Sequence, residues 1–236
     1  MEIGPTTHYI MGGIRVNGDS QMSSVPGLFA AGEAAAGLHG ANRLGGNSLS
    51  DLIVFGKRAG EFAAKFAKEH GVGQINDSQI EEAARKALEP FDRGAKSGGS
   101  AEGPYQVQHD LQEMMQGLVG IVRREDEMVR ALDGIGKLSE RAGQVAVFGH
   151  REYNPGWHTA IDLKNLLTVS EAITRSAIER KESRGGHFRE DFPGKDAAAG
   201  KVNVVVKQNP DGTMNVRRET IPDLPAELKQ VIEEMK

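Results

Sequence analysis

The sequence predicts an α+β chain, in which a glycine-rich α/β segment is followed by a helical bundle and a small hairpin-containing tail. Three observations support this. Short apolar runs separated by turn residues fill residues 1–48. Apolar residues then recur at helical spacing through residues 49–183. Finally, the strong turn sequence Asn209-Pro210-Asp211-Gly212 separates two strand-like runs.

The first segment, residues 1–72, is expected to contain short strands and one long helix. The apolar runs Tyr9–Met11 and Gly27–Ala31 predict the strands. Asn47-Ser48 is a favourable N-cap for a helix that starts near Leu49 and ends before Gly71. The face of this helix is rich in glycine and alanine, which indicates that backbone or a ligand approaches it closely.

The second segment, residues 73–190, is predicted to be helical, and the third, residues 191–236, to be a tail. Short connections between the helices favour an antiparallel bundle. The expected helices cover about 78–90, 105–117, 124–142 and 160–183, with a linker at 94–104, and the tail holds a hairpin (201–207 with 214–218) and a helix at 225–235.

Composition excludes several classes of function. The chain has 236 residues, a formal net charge of −4 and no cysteine, so thiolate metal sites and cysteine nucleophiles are excluded. Its basic residues form no stripe interleaved with aromatics, which argues against nucleic acid as a partner. The seven histidines are scattered and HExxH is absent, so we assign no metal. No apolar run of about 18 residues occurs, and MEIGPTTHY has no signal-peptide pattern. Any membrane attachment is therefore expected through a partner.

The densest chemical signal is the run HGANRLGGNSL, residues 39–49. Its glycines let backbone approach a flat or phosphorylated ligand, and the helix that follows offers free N–H groups. Arg43 could hold a carboxylate with both arms of its guanidinium. The alternative is a glycine-rich loop that carries a surface arginine.

Three other positions carry weaker signals. His8 precedes an apolar strand and a glycine pair, and it could face a ligand or be a hydrogen-bonded histidine at a strand edge. Gly32-Glu33 ends an apolar strand, where an acidic residue can accept from a ribose hydroxyl or simply be exposed. The charged run from Arg180 to Asp191 is either functional or the solvated end of a helix.

Three motifs, in this order, closely resemble the succinate dehydrogenase/fumarate reductase flavoprotein family: HYIMGGI, GLFAAGEAAAGLHGANRLGGNSLSDLIVFGKRAG and RKESRGGHFREDFP. The tail NPDGTMNVRRETIPDLPAELKQVI is similar as well. L-aspartate oxidase shares an HGANR segment, but RLGGNSLSD is more similar to the succinate/fumarate branch. The resemblance implies that residues 1–72 are the carboxy-terminal piece of an FAD-binding α/β fold.

The resemblance also implies roles for individual residues in a two-electron reaction between succinate and fumarate at FAD. Two side chains would bind the dicarboxylate: His8 and Arg43. The cofactor would be contacted by the Gly-Glu pair and by the start of the helix, namely Gly32, Glu33, Asn47, Ser48 and Leu49. A dicarboxylate needs donors at both ends to lie against the flavin in a reactive geometry.

Other features of the family precede the HYIMGG motif, namely a GxGxxG fingerprint, a flavin-linked histidine and a capping domain with a proton-transferring arginine. We therefore expect a missing amino-terminal half to be a partner of this chain, which would be inactive alone. Further partners would be an iron–sulfur subunit, which accepts the electrons, and through it a membrane anchor. They would give a cytoplasmic location on the inner face of the cell membrane. The alternative from another class is a non-catalytic helical docking module.

Overall fold

The computed structural model describes residues 8–235, and its contacts divide them into two compact units. The first unit comprises residues 8–89 with Arg184–His187, and the second comprises 90–183 with 188–235. The helices are α1 (Asn47–His70), α2 (Asp77–Ser97), α3 (Pro104–Leu118), α4 (Glu125–Ala142), α5 (Pro155–Glu179) and α6 (Ala226–Glu234). The strands are β1 (Val122–Arg123), β2 (Phe188–Arg189), β3 (Val202–Gln208) and β4 (Met214–Thr220). This mixture of helices and small sheets confirms the predicted α+β class.

The strands predicted at the start of the first unit do not form. Residues 9–11 make no bridge, and the segment Gly27–Ala31 makes one isolated bridge, between Met22 and Phe29. A strand is stabilised by a row of cross-strand pairs, which neither segment has. The prediction was wrong because apolar runs indicate extended chain but not whether a pairing partner lies alongside.

The long helix of the first unit, α1, begins two residues earlier than predicted. Gly46 is its N-cap, in a left-handed conformation with φ of 84°, and no side chain caps the helix. The assignment of Asn47-Ser48 as the cap was therefore wrong, because the glycine reaches a backbone conformation that other residues rarely adopt. The helix ends before Gly71, as expected.

The core of the second unit is formed by α3, α4 and α5, which pack against one another. Their apolar stripes meet in two clusters, consistent with the predicted bundle. The larger cluster contains Val107, Leu111, Ile135, Leu138, Val145, Leu163 and Leu167. The second contains Val119, Met128, Ala131 and Ala177.

Two helices of the predicted set have different bounds in the structure. The helix α2 continues through Pro90 to Ser97, because the Val147 N–H donates to the Pro90 carbonyl at 2.9 Å and anchors the second half. The predicted linker is shortened accordingly. The helix α5 starts at Pro155, where the Asn154 side chain accepts from the Trp157 N–H at 3.1 Å. It ends at Glu179 rather than 183 because the next residue is extended.

The charged run after α5 is partly buried rather than a simple solvated helix end. The Arg189 side chain is fully buried, and its Nε donates to Asp191 at 2.7 Å while Nη2 donates to Glu125 at 3.1 Å. Its Nη1 also donates to the Ala177 carbonyl at 2.9 Å. These bonds join the start of α4 to the end of α5, beside the short parallel pair β1–β2.

The predicted tail hairpin is present as β3 and β4, which pair antiparallel from Val202 with Thr220 to Gln208 with Met214. Within the described residues, no helix is long and apolar enough to cross a membrane.

Candidate functional site

Two side chains of the first unit meet at the buried carboxylate of a third residue, Asp51. The Tyr9 hydroxyl donates to Asp51 Oδ2 at 3.1 Å, and His39 Nε2 lies 3.2 Å from the same oxygen. Asp51 is 5% exposed and lies in α1, just after its first turn. Since an ionised carboxylate only accepts hydrogen bonds, His39 must carry its proton on Nε2 when it is neutral. The three residues therefore tie the HGANR loop and the HYIMGG segment to one helix.

Burial and the Asp51 carboxylate both raise the pKa of Tyr9. Burial raises the pKa of the Tyr9 phenol, and the hydrogen bond to Asp51 raises it further, because a phenolate beside a carboxylate is unfavourable. The ring of His39 also packs edge-on against Tyr9, with centroids 5.3 Å apart. Tyr9 is thus a protonated donor with a fixed ring orientation.

Arg43 lies against the ring of Tyr9. Its guanidinium carbon is 4.8 Å from the ring centre, and Nη1 donates to the Leu44 carbonyl at 3.1 Å. Arg43 Nε is buried, and no described residue accepts a hydrogen bond from it. A buried guanidinium N–H without a partner is rare in proteins and fits the position of an anionic ligand.

His8 lies beside the same ring. Its imidazole centroid is 6.3 Å from that of Tyr9, in an edge-on arrangement, and the side chain is exposed. The structure thus places the two predicted dicarboxylate ligands, His8 and Arg43, next to one common residue. Both cationic or donor groups lie in the first unit.

The start of α1 forms the next part of the site. At Gly45 and Gly46 a Cβ atom would meet nothing within 4 Å among the described residues, so the turn faces open space. The first amides of a helix have no intrahelical acceptor, and here no side chain caps them. The Asn47 N–H is engaged by the Leu44 carbonyl at 3.2 Å, whereas Ser48 is half-buried and Leu49 is exposed.

The Gly32-Glu33 pair lies on a 3-10 turn, Gly32–Ala34. Gly32 has φ of 67°, in the left-handed region, and a Cβ there would press on Leu52 Cδ2 of α1, so a larger residue at this position would be strained. Glu33 is exposed, and its Oε1 accepts from the Ile10 N–H at 2.9 Å. This bond joins the pair to the segment that carries His8.

These features fit a flat cofactor with an anionic or carbonyl edge, such as a flavin. The uncapped helix start offers N–H groups and the positive end of the helix dipole. The open glycine turn leaves room for a ring system, and the unpartnered Arg43 Nε lies three residues before the helix cap. Among the described residues, no group of three or more potential ligands could hold a metal ion.

Sequence reasoning missed three residues of this arrangement: Tyr9, His39 and Asp51. Tyr9 and His39 lay inside motifs that were singled out, but their pattern did not distinguish them from neighbours. Asp51 carried only a weak signal, as an acidic residue beside the apolar residues Leu49, Leu52 and Ile53. Its partner in the network lies 42 positions away, which no local pattern reveals.

Two models of known protein families together match most of the chain. The model described as fumarate reductase flavoprotein C-term matches residues 108–231. The model described as FAD binding domain matches residues 1–49. The two matches cover most of the second unit and the start of the first.

Individual relatives agree with the family matches. The chain is 38% identical over 82% of its length to the fumarate reductase flavoprotein subunit of Haemophilus influenzae, covering 32% of that protein. It is 37% identical over 91% of its length to the 8-methylmenaquinol:fumarate reductase flavoprotein subunit of Wolinella succinogenes, covering 35% of it. The Mycobacterium smegmatis Sdh1 structure in complex with UQ1 matches 99% of this chain with a TM-score of 0.90 and 43% identity, over 39% of that chain. The chain thus spans about a third of the length of the curated relatives it matches.

Proposed function

Because the chain belongs to the succinate dehydrogenase/fumarate reductase flavoprotein family, whose cofactor is FAD, we propose that it supplies the dicarboxylate-binding part of an enzyme that interconverts succinate and fumarate. The observation that carries this proposal is the position of Arg43. Its guanidinium lies against Tyr9 with a buried Nε that no described residue engages, and His8 lies beside the same ring.

Each of these side chains has a chemical role in the proposed site. Arg43 neutralises one carboxylate of the substrate and orients it through the planar fork of its guanidinium. His8 donates to the other carboxylate, so that the central carbons of the substrate are held between two fixed ends. Tyr9 supports both residues, and its own orientation is fixed by Asp51.

The proposed cofactor contacts also come from the first unit. When bound, FAD supplies the two-electron chemistry of the reaction. The amides of Ser48 and Leu49 at the start of α1 would face the electron-accepting ring and favour negative charge there. Gly32 and Glu33 would contact the nucleotide portion, with Asn47 at the helix start beside them. The pairing of Glu33 with the Ile10 N–H keeps this turn next to the substrate ligands.

The proposed organisation of the chain follows from these roles. Residues 1–72 would complete an FAD-binding domain, 73–190 would form a helical domain, and 191–236 a tail. The chain would have three partners: an amino-terminal FAD-binding and capping region, an iron–sulfur subunit that takes the electrons, and a membrane anchor. This arrangement would place the protein on the inner face of the cell membrane. The similarity of the chain to a flavoprotein subunit of a quinol:fumarate reductase supports the proposal that it works with other subunits.

The test uses a reconstituted subunit, which we define as this chain together with an amino-terminal FAD-binding and capping region supplied from the Mycobacterium smegmatis relative. We expect anaerobic succinate to bleach its flavin absorbance and malonate, a dicarboxylate competitor, to prevent this. Bleaching by L-aspartate instead of succinate would show the aspartate oxidase alternative. A reconstituted subunit that retains no flavin would favour the non-catalytic docking module.

A further inference from the structure

The segment Arg184–His187 forms a tight turn that belongs to the first unit, although the residues on both sides of it belong to the second. The Arg184 N–H donates to the His187 carbonyl at 2.8 Å, and the His187 N–H donates to the Arg184 carbonyl at 3.1 Å. Gly185 has φ of 60°, in the left-handed region. A two-residue turn closed from both ends holds its central glycines in a fixed orientation.

This turn is packed directly on the loop that carries Arg43. The Gly186 N–H donates to the Ala41 carbonyl at 2.9 Å. A Cβ atom at Gly185 would lie 2.2 Å from the Ala41 carbonyl oxygen and 2.7 Å from its Cβ, closer than real Cβ contacts. The loop backbone two residues before Arg43 is therefore held by a hydrogen bond and by a contact that only glycine permits.

The same turn also touches the segment that carries His8. A Cβ atom at Gly186 would lie 3.1 Å from the Met11 terminal methyl group and 3.9 Å from Asn42 Oδ1. Met11 follows His8 by three residues, and Asn42 directly precedes Arg43. One turn from a distant part of the sequence thus contacts both segments that bear the candidate substrate ligands.

We propose that Gly185 and Gly186 are positioning residues, which set the distance and orientation of Arg43 relative to His8 for the dicarboxylate. This inference rests on the proposed function, because it presupposes that Arg43 and His8 bind the substrate. A displacement of a binding group by about 1 Å can lower a rate about 100-fold. The Arg43 loop is glycine-rich and exposed, so its position depends on the contacts that anchor it. The turn supplies one such anchor through the Ala41 carbonyl.

The test compares Gly185→Ala with Gly212→Ala in the reconstituted subunit. Gly212 is a matched control, because its φ is 86° and a Cβ there would meet nothing within 4 Å. Both substitutions place alanine in the left-handed region, but only Gly185→Ala displaces the Ala41 backbone. We expect Gly185→Ala to raise the malonate dissociation constant about tenfold and the KM for fumarate with it. The control should bind malonate like the parent, because it carries the left-handed strain without the backbone clash.

A double-mutant cycle with Arg43→Lys separates positioning from general destabilisation. If the turn acts through Arg43, the effect of Gly185→Ala on malonate binding should largely disappear in the Arg43→Lys background. Full additivity in this cycle, or equal losses of malonate affinity in Gly185→Ala and Gly212→Ala, would overturn the proposal. If Arg43→Lys alone leaves malonate binding unchanged, the proposed function fails instead.

A second variant keeps the test decisive if Gly185→Ala does not fold. Gly186→Val avoids the left-handed region, and its branched side chain would press on the Met11 methyl group, the Ala41 carbonyl oxygen and Asn42 Oδ1, which lie 3.1 Å, 3.8 Å and 3.9 Å from a Cβ there. We expect it to fold and to weaken malonate binding in the parent but not in the Arg43→Lys background. Parental malonate affinity in Gly186→Val would contradict the assignment of this turn.

Discussion

The Tyr9 hydroxyl donates a hydrogen bond to Asp51 Oδ2 at 3.1 Å, joining residues 42 positions apart. Tyr9 follows the candidate ligand His8, and Asp51 lies near the start of α1, at the proposed flavin edge. The bond therefore connects the proposed substrate side of the site to its proposed cofactor side. It also fixes the ring on which the Arg43 guanidinium lies.

Replacing Tyr9 with phenylalanine should destabilise the first unit but keep an aromatic ring beside Arg43. Of its two hydrogen-bond partners, Tyr9 and His39, Asp51 would keep only His39. A hydrogen bond to a charged group contributes about 1.5–3 kcal/mol, so we expect a loss near the lower end of this range in the free energy of unfolding of the first unit. Hydrogen exchange of the α1 amides would measure it. Tyr153→Phe is the matched control, because that side chain is 99% exposed. Equal exchange rates in the two variants would contradict the role of the bond.

The acid stability of the second unit should depend on Asp191. The Arg189 guanidinium lowers the pKa of this carboxyl to about 2, against an ordinary value of about 3.9. A carboxyl whose pKa is lowered by folding stabilises the folded chain at pH values above its pKa in the unfolded chain. This contribution is lost as the pH falls from about 4 toward 2. Asp191 is partly exposed, so after solvent screening we expect Asp191→Asn to cost about 1–2 kcal/mol at pH 7.

The measurement for Asp191 is urea unfolding of parent and variant between pH 7 and pH 2. The difference between their free energies of unfolding should shrink as the pH falls from about 4 toward 2. Asp223→Asn is the control, because the Asp223 side chain is 97% exposed. A difference between parent and Asp191→Asn that stays constant down to pH 2 would show that the ion pair with Arg189 does not stabilise the fold.

The chain by itself should be catalytically inactive. In the family, a nucleotide-binding fingerprint and a proton-transferring arginine precede the HYIMGG motif, and we propose that catalysis requires both. A dye-linked assay of the purified chain with added FAD and succinate would test this. Turnover above the free-flavin background that malonate abolishes would refute it.

Local patterns predicted those parts of the fold that local interactions determine. The helix α4 was expected at 124–142 and occupies Glu125–Ala142, because its apolar stripe and acidic first turn are continuous in sequence. The hairpin β3–β4 followed from its Asn-Pro-Asp-Gly turn. The expected strands at Tyr9–Met11 and Gly27–Ala31 did not form, since strand formation depends on neighbours that no local pattern specifies.

The candidate site also combines residues that local sequence identifies with residues that only tertiary contacts reveal. The glycine-rich run and Arg43 could be singled out because their residue types have a direct chemical meaning. The roles of the buried Asp51 and of the turn at Gly185 could not be predicted, since each residue matters through a contact with a distant segment, Tyr9 in one case and Ala41 in the other. Tertiary contacts of this kind become visible only in the folded chain.

The substitution Arg43→Lys tests the dicarboxylate site most directly. Lysine keeps the charge but loses the planar fork that matches a carboxylate. Arg58→Lys is a control, because Arg58 is an exposed arginine of α1 that lies over Phe55.

The deciding measurement is the malonate dissociation constant of the reconstituted subunit, determined by calorimetry for the parent, Arg43→Lys and Arg58→Lys. A weakened charge-assisted contact costs about 2 kcal/mol or more, so we predict that Arg43→Lys binds malonate at least ~30-fold more weakly, while Arg58→Lys binds it like the parent. Parental malonate affinity in Arg43→Lys would contradict the assignment of Arg43 as a substrate ligand, and with it the proposed site.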